Sequence, residues 1–301
     1  MSEAMRGHLA MLVFSALVAG SFSLGALVAG DIAPAAVTAA RFAMAALVLG
    51  LAAHLTGGIP RSAGRAPWRY IILGGLFGFY FLLMFEGLKT APALSTSAVF
   101  TLTPILSAGF GYLLLRQVTT GRMALALAIG ACGALWVIFR GNWAALAAFQ
   151  IGQGEIIYFF GCICHAIYTP MVRLLNRGER PLVFTFGMSV AGCLVMLVYG
   201  WSDIWATHWM ALSPLIWATL FYLAIFSSAG SFVLLQYATL RLPSAKVMAY
   251  TYLTPSWVIL WEFGVGNGPP PANVILGVGL TVAALLILLD QDRSPGTAAA
   301  Q

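Results

Sequence analysis

Two polar side chains inside long apolar stretches are the strongest candidates for a chemical role in this sequence. Arg41 stands seven residues after Pro34 in one stretch, and His165 lies in the middle of another. Charged groups are costly inside a membrane and usually mark functional positions there. Arg41 could bind a substrate carboxylate or the carbonyls of a neighbouring helix end, and we favour the second role. His165 could contact a substrate, although a lone buried histidine is more often a hydrogen-bonded packing residue.

Acidic residues near the ends of apolar stretches are candidates for proton coupling. Glu86 and Lys89 stand three positions apart, so they can pair on one helix face. We favour a structural pair over a gate or proton relay. Glu262 lies near the end of a later stretch, where water could reach it. The residues considered for gating or proton coupling are therefore Arg41, Glu86, Lys89 and Glu262.

Motifs for metal binding or catalysis are weak. The run Cys162-Ile-Cys164-His165 contains soft ligands of the kind that bind zinc, but no second cluster in the sequence completes four ligands. The sequence also has no glycine-rich phosphate loop, no Ser-His-Asp order and no paired carboxylates at helical spacing. We predict no metal, no cofactor and no enzymatic activity.

The composition indicates an integral membrane protein. Of 301 residues, 61% are hydrophobic and 8% are charged, against about 25% charged in soluble domains. The net charge of +6 rests on few charges and does not indicate nucleic-acid binding. The expected partners are the lipid bilayer and a small-molecule substrate. The sequence leaves the oligomeric state open, and a monomer is possible.

Ten apolar segments are long enough to cross about 30 Å of hydrocarbon. They are His8–Ala29, Pro34–Leu55, Trp68–Leu88, Pro92–Leu115, Arg122–Phe139, Gly154–Arg173, Leu182–Gly200, Pro214–Ala238, Ser244–Phe263 and Asn273–Leu289. With both termini in the cytoplasm, 12 of the basic residues fall on the cytoplasmic side and 2 outside. Such a bias sets orientation in membranes. The predicted fold is all-α, a polytopic membrane protein of ten transmembrane helices.

A repeated proline motif indicates two related halves. The stretch Pro92–Pro104 returns as Pro243–Pro255 at an offset of 151 residues, with five identities in 13 positions. An odd number of spans per half inverts the second half, and inverted repeats are common in secondary transporters. We predict a first five-helix repeat over residues 1–145, a second over 146–293 and a disordered tail over 294–301.

These motifs, together with Ala40-Arg41-Phe42, resemble the EamA-type branch of the drug/metabolite transporter superfamily over residues 8–290. The resemblance implies a 5+5 inverted arrangement with a central cavity lined by spans 1–4 and 6–9, and spans 5 and 10 outside. Within the superfamily the chain is most similar to bacterial exporters of aromatic amino acids. The family often has a glutamate after the fourth and ninth spans, where this chain has Arg116 and Asn267.

Aromatic and hydroxyl side chains mark the predicted substrate site. The third span carries Phe77, Tyr80, Phe81 and Met84 at three- and four-residue spacing, which forms one helix face. Tyrosine hydroxyls in mid-membrane need partners, so they are expected to face a shared interior. The predicted substrate-binding residues are Tyr80, Met84, Phe100, Thr101, His165, Tyr168, Gln236, Tyr250 and Tyr252.

The sequence therefore predicts a bacterial inner-membrane transporter. It would export aromatic and other neutral amino acids, or similar small hydrophobic metabolites, by alternating access. A multidrug or sugar-phosphate carrier is the alternative, although sugar phosphates would need more cationic residues in the cavity. A membrane-embedded enzyme or a passive channel belongs to a different class. Saturable flux with counterflow would separate a carrier from a channel.

Overall fold

The computed structural model describes residues 3–148 and 151–290, and every regular element in these ranges is helical. The predicted tail, 294–301, lies outside them. The α-helices are α1 (Glu3–Val28), α2 (Pro34–Leu55), α3 (Trp68–Leu88), α4 (Ala93–Phe100), α5 (Thr103–Leu115), α6 (Gly121–Ile138), α7 (Trp143–Ala147), α8 (Gln153–Leu175), α9 (Pro181–Tyr199), α10 (Trp201–Ala206), α11 (Pro214–Ala224), α12 (Ser231–Thr239), α13 (Ser244–Ala249), α14 (Thr254–Gly264) and α15 (Ala272–Asp290).

Nine helical segments of the described ranges are long and apolar enough to cross a membrane, with α4 and α5 counted together as Ala93–Leu115 and α11 and α12 as Pro214–Thr239. The predicted ninth span is not one continuous helix. It consists of α13, a 3₁₀ turn over Tyr250–Leu253 and α14. The short helices α7 and α10 expose the indoles of Trp143, Trp201 and Trp205, as expected for side chains that favour a membrane–water boundary.

The two proline motifs produce the same break in a helix. α4 begins after Pro92 and α13 after Pro243, and both prolines have extended backbone angles. Each helix stops after about two turns and a new one starts with Pro104 or Pro255 in its first turn. Proline lacks an N–H and cannot continue the hydrogen-bond ladder. The α-helical hydrogen-bond pattern is therefore interrupted at corresponding places in the two motifs.

Glycines allow the long helices to pack closely. Gly133 of α6 faces the carbonyl of Gly277 on α15, and a Cβ on Gly133 would approach that oxygen to 2.6 Å. Gly87 of α3 and Gly154 of α8 make a similar backbone contact. Small residues at such crossings let helices approach in lipid, where no hydrophobic force drives them together.

A π-helical segment interrupts the eighth span between α11 and α12. It covers Ile225–Gly230, and Ser231 Oγ donates to the carbonyl of Ser227 at 2.7 Å. Short π-helical turns are rare in proteins overall, and those that occur often lie at functional sites. The segment faces α2, which carries Arg41.

Candidate functional site

Five aromatic side chains from four helices form one cluster in the middle of the bundle, called here the aromatic cluster. Its members are Phe77, Tyr80, Phe100, Tyr168 and Phe232. The ring centroid of Phe77 lies 4.1 Å from that of Tyr168 and 4.6 Å from that of Phe232. Tyr80 and Phe100 lie 5.8 Å apart, and all five side chains are at most 1% exposed. Three of the predicted substrate-binding residues, Tyr80, Phe100 and Tyr168, thus belong to one packed cluster in this conformation.

His165 lies inside the aromatic cluster. Its ring centroid is 4.6 Å from Tyr80, 5.0 Å from Phe77 and 5.3 Å from Phe100. Its Nδ1 atom is buried without a hydrogen-bond partner among the described residues. An unsatisfied buried polar atom costs about 1–3 kcal/mol. A polar group bound at His165 Nδ1 would therefore supply the missing hydrogen bond and remove this energetic cost.

Gln236 closes the cluster on one side. Its Nε2 donates to the hydroxyl of Tyr168 at 3.0 Å, and that hydroxyl donates to Met188 Sδ at 3.0 Å. The Oε1 atom of Gln236 is buried and has no partner in the described chain. A carbonyl oxygen in this position can accept from an ammonium or hydroxyl group.

Arg41 is fully buried and binds the π-helical segment. Its Nε donates to Ser228 Oγ at 2.9 Å, and its Nη2 donates to the carbonyl and hydroxyl of Ser227, both at 3.3 Å. Its Cζ lies 3.6 Å from the ring centroid of Phe81, which contacts Phe77. Within the described ranges Arg41 has no carboxylate partner, and its Nη1 has no hydrogen-bond partner. The guanidinium thus keeps an unused donor beside the aromatic cluster.

Other predicted substrate-binding residues lie around the aromatic cluster or away from it. Met84 and Thr101 are fully buried, and Thr101 Oγ1 donates to the carbonyl of Ala98 at 2.6 Å. Tyr250 meets His8, with 3.0 Å between its hydroxyl and Nδ1. Tyr252 packs its ring against Gly130 of α6.

The structure therefore does not gather the four predicted tyrosines in one interior. Tyr80 and Tyr168 share the aromatic cluster, whereas Tyr252 faces α6 and Tyr250 faces α1. Tyr250 and Tyr252 are two residues apart, so they face different sides of the chain in an α-helix and also in the 3₁₀ turn found at Tyr250–Leu253.

The predicted charged pair forms near one end of α3. Lys89 Nζ lies 2.7 Å from Glu86 Oε2, and both side chains are more than a third exposed. Glu262 is half-buried and accepts from Asn267 Nδ2 at 2.7 Å. These contacts show where the groups lie, and their part in gating or proton coupling stays a prediction.

The Cys162-Ile-Cys164-His165 run does not converge on one point. Two residues rotate an α-helix by about 200°, so Cys162 and Cys164 face different sides. The Cys162 thiol is buried 3.8 Å from the carbonyl of Val99, while His165 belongs to the aromatic cluster. The described part of the chain holds no group of three or more His, Cys, Asp and Glu arranged for a metal ion.

Sequence reasoning missed several contacts around this site. Tyr158 donates to the hydroxyl of Tyr80 at 3.1 Å, and Ser95 donates to the buried carboxylate of Glu155 at 2.7 Å. The pair Ser227-Ser228, which holds Arg41, was visible as two small polar residues in an apolar span. Their π-helical backbone depends on tertiary contacts and has no signal of its own in the sequence.

A second polar region lies where the loop between α2 and α3 meets the loop between α8 and α9. Because these loops carry several arginines, this end is called here the arginine-bearing end of the bundle. Arg69 and Glu179 form a buried ion pair of 2.6 Å, and Arg69 also donates to the carbonyl of Leu175. Burial acts to raise the pKa of Glu179, but the hydrogen bonds from Arg69 and from the N–H of Arg177 hold it below its ordinary value. Arg180 donates to the carbonyls of residues 56 and 58, at 2.8 and 2.9 Å.

The fold and this site define a class, that of helical membrane transporters. The EamA-like transporter family model matches residues 5–139 and 152–290. These ranges cover most of the chain, and the chain belongs to this family. It is a multi-pass membrane protein and a transporter of small metabolites.

Similar proteins agree with that assignment. The chain is 26% identical over 294 residues to the uncharacterized transporter YyaM of Bacillus subtilis (strain 168), covering 96% of this chain and 95% of the relative. The uncharacterized transporter YetK of the same organism is 18% identical over 221 residues, 73% of this chain and 67% of the relative. A protein crystal structure matches the fold with a TM-score of 0.71 and 21% identity, over 97% and 98% of the two chains.

Proposed function

We propose that the ten predicted spans form two five-helix repeats of opposite orientation, over residues 1–145 and 146–293. In that arrangement each span exchanges with the span five places later. The contact of α3 with α8 then corresponds to that of α1 with α12, and α2–α9 and α6–α15 each map onto themselves. α4 contacts α14, whereas α5 contacts α13, so the two broken spans run antiparallel. The two family-model matches support the same division.

We further propose that the protein exports aromatic and other neutral amino acids by alternating access. One observation carries this proposal. Three buried polar atoms without partners among the described residues adjoin the aromatic cluster, namely Arg41 Nη1, His165 Nδ1 and Gln236 Oε1. A zwitterion with an aromatic side chain offers a carboxylate, an ammonium group and a ring, which match a guanidinium, an amide oxygen and a ring cluster.

Each group has a distinct role in this proposal. Arg41 Nη1 donates to the substrate carboxylate, and Gln236 Oε1 accepts from the ammonium group. Ser228, which binds Arg41, stands eight residues before Gln236, about 12 Å along a helix. Because the carboxylate and ammonium groups of an α-amino acid are attached to one carbon, both contacts form only in a conformation that brings Arg41 and Gln236 closer together. The rings of Phe77 and Tyr80 contact the substrate side chain. Binding then rests on stacking and a few hydrogen bonds, weak enough for release.

In this proposal, alternating access depends on movement at the broken spans and on polar contacts that close the two ends of the bundle. Pro104 and Pro255 already lack the N–H that would join the two half-helices of their spans, so fewer hydrogen bonds oppose a tilt there. The Arg69–Glu179 pair ties one end, and the hydrogen bond from Ser95 to Glu155 ties the other. Opening either end separates one set of contacts while the aromatic cluster parts around the substrate.

The proposed location is a bacterial inner membrane with both termini in the cytoplasm. The 12 to 2 distribution of basic residues supports this orientation. It places the Arg69–Glu179 pair on the cytoplasmic side. The substrate and the bilayer are the proposed partners.

Efflux from expressing cells tests the amino-acid proposal. Cells that express the protein should resist toxic analogues of phenylalanine or tryptophan. Tyr80→Ala and His165→Ala should each lower efflux about tenfold, equivalent to ~1.4 kcal/mol of binding, at unchanged membrane abundance. Tyr112→Ala is the matched control, because Tyr112 is 49% exposed on the outer surface of the bundle. Unchanged efflux in both test variants would remove the aromatic cluster from the substrate path.

Proton coupling is tested separately through two acids. If Glu86 or Glu262 carries the coupled proton, then Glu86→Gln or Glu262→Gln should flatten the dependence of transport on pH. Radiolabelled uptake into proteoliposomes, with and without a proton gradient, measures this dependence. Unaltered transport by both variants across a pH series would exclude coupling through these groups.

A further inference from the structure

We propose that an anionic phospholipid binds between α3 and α9 at the arginine-bearing end of the bundle. Two adjoining cavities carry this inference. The first, called here the headgroup cavity, has a volume of about 330 Å³ and is lined by Arg65, Arg177, Arg180 and Glu179 among others. The second, called here the acyl groove, has about 300 Å³. Val183 lines both.

The headgroup cavity has a net positive charge. Glu179 is the one acid that lines it, and its carboxylate is already paired with Arg69 at 2.6 Å. Arg180 donates to two backbone carbonyls, which do not neutralise its charge. In the described ranges no carboxylate pairs with the side chain of Arg65 or Arg177. Guanidinium groups bind phosphate through parallel N–H donors, so the cavity suits a phosphate headgroup.

The acyl groove is apolar and continues along the side of the bundle. Tyr70 and Ile71 of α3 form one wall, and Phe186, Val190 and Leu194 of α9 form the other. Leu194 lies eleven residues beyond Val183, which is about 16 Å along the helix. Ile71 and Leu194 are 52% and 57% exposed, so the groove opens where lipid surrounds the protein. Its shape and surroundings suit an acyl chain.

The junction of the two cavities selects among possible occupants. A free phosphate would fill the headgroup cavity and leave the groove unused, whereas an uncharged lipid would use the groove alone. An anionic phospholipid uses both, with its phosphate at the arginines and one chain beside Val190. Basic cavities between membrane helices on the cytoplasmic side bind anionic headgroups in this way.

Thermal unfolding and native mass spectrometry of the purified full-length protein test the headgroup contact. Phosphatidylglycerol or cardiolipin should raise the unfolding temperature and remain bound, while phosphatidylethanolamine and inorganic phosphate should do neither. The double variant Arg65→Gln/Arg177→Gln should weaken binding about 25-fold, which is about fivefold for each arginine. The control Arg6→Gln/Arg116→Gln removes the same charge from exposed arginines outside the cavity and should leave binding unchanged.

A variant in the acyl groove tests the chain contact and keeps the charges intact. Val190→Trp should fill the groove and weaken phosphatidylglycerol binding severalfold. Val198→Trp is the control, because Val198 lies on the same helix outside the groove and is 83% exposed. Equal stabilisation by inorganic phosphate or by phosphatidylethanolamine would overturn the proposal, as would equal lipid binding by the two double arginine variants.

Discussion

At the scale of single residues, Arg41 is a fully buried charge that has no carboxylate partner within the described ranges. A charged residue at this depth costs about 2.5–3.5 kcal/mol on insertion scales. Hydrogen bonds to two serines and a contact with the face of Phe81 offset part of that cost. The Nη1 atom has no hydrogen-bond partner among the described residues. A role in structure alone would be served as well by an apolar side chain. The free Nη1 donor is the group that the proposed substrate carboxylate would bind.

Replacement of Arg41 by an apolar side chain of similar length separates the two roles. In Arg41→Met the buried charge is gone, so the unfolding temperature should stay the same or rise. Amino-acid transport should fall at least about tenfold, equivalent to ~1.4 kcal/mol. Calorimetry in detergent and uptake into proteoliposomes measure the two effects. A lower unfolding temperature with normal transport per folded molecule would assign Arg41 to structure.

At the scale of elements, the contact between α6 and α15 depends on two facing glycines. A Cβ on Gly277 would approach the carbonyl of Gly133 to 2.7 Å, which only displacement of a helix can relieve. Gly279 stands two positions later on α15 and has open space around its Cβ position. The pair thus provides a matched test on one helix.

Gly277→Leu should lower the stability of the protein by about 1–3 kcal/mol, as overpacking does. Gly279→Leu should change it by less than about 0.5 kcal/mol, because the new side chain meets nothing. Thermal unfolding in the same detergent compares the two variants. Equal unfolding temperatures would mean that α6 and α15 do not cross at these glycines.

The loop contact of Arg69 with Glu179 gives the protein a pH-dependent stability. The pKa of Glu179 is lowered in the folded state, so its contribution is present above the unfolded value of about 4.3 and is lost as pH falls through the folded value. Glu179→Gln should lower stability by roughly 1–3 kcal/mol at neutral pH, since Arg69 loses a charged partner. Unfolding temperatures of both proteins should converge below about pH 4. A difference in unfolding temperature that stays constant well below pH 4 would contradict the pair's role.

At the scale of the whole molecule, simple patterns predicted much of the architecture. The apolar lengths predicted membrane-spanning segments, and nine are long enough in the described ranges. The motifs at Pro92 and Pro243, which the sequence showed to be related, contain corresponding helix breaks in the structure. The sequence did not predict the π-helical segment or the orientation of Tyr252. Both depend on which neighbour each turn packs against, and that information is not local to the sequence.

The central claim is that one substrate path runs through the aromatic cluster between two oppositely oriented halves. Counterflow of radiolabelled phenylalanine in proteoliposomes tests it most directly. Unlabelled phenylalanine or tryptophan inside the vesicles should accelerate saturable uptake of label by the wild-type protein, and His165→Ala should abolish this acceleration. Uptake that rises linearly with concentration, or acceleration that persists in His165→Ala, would contradict the account.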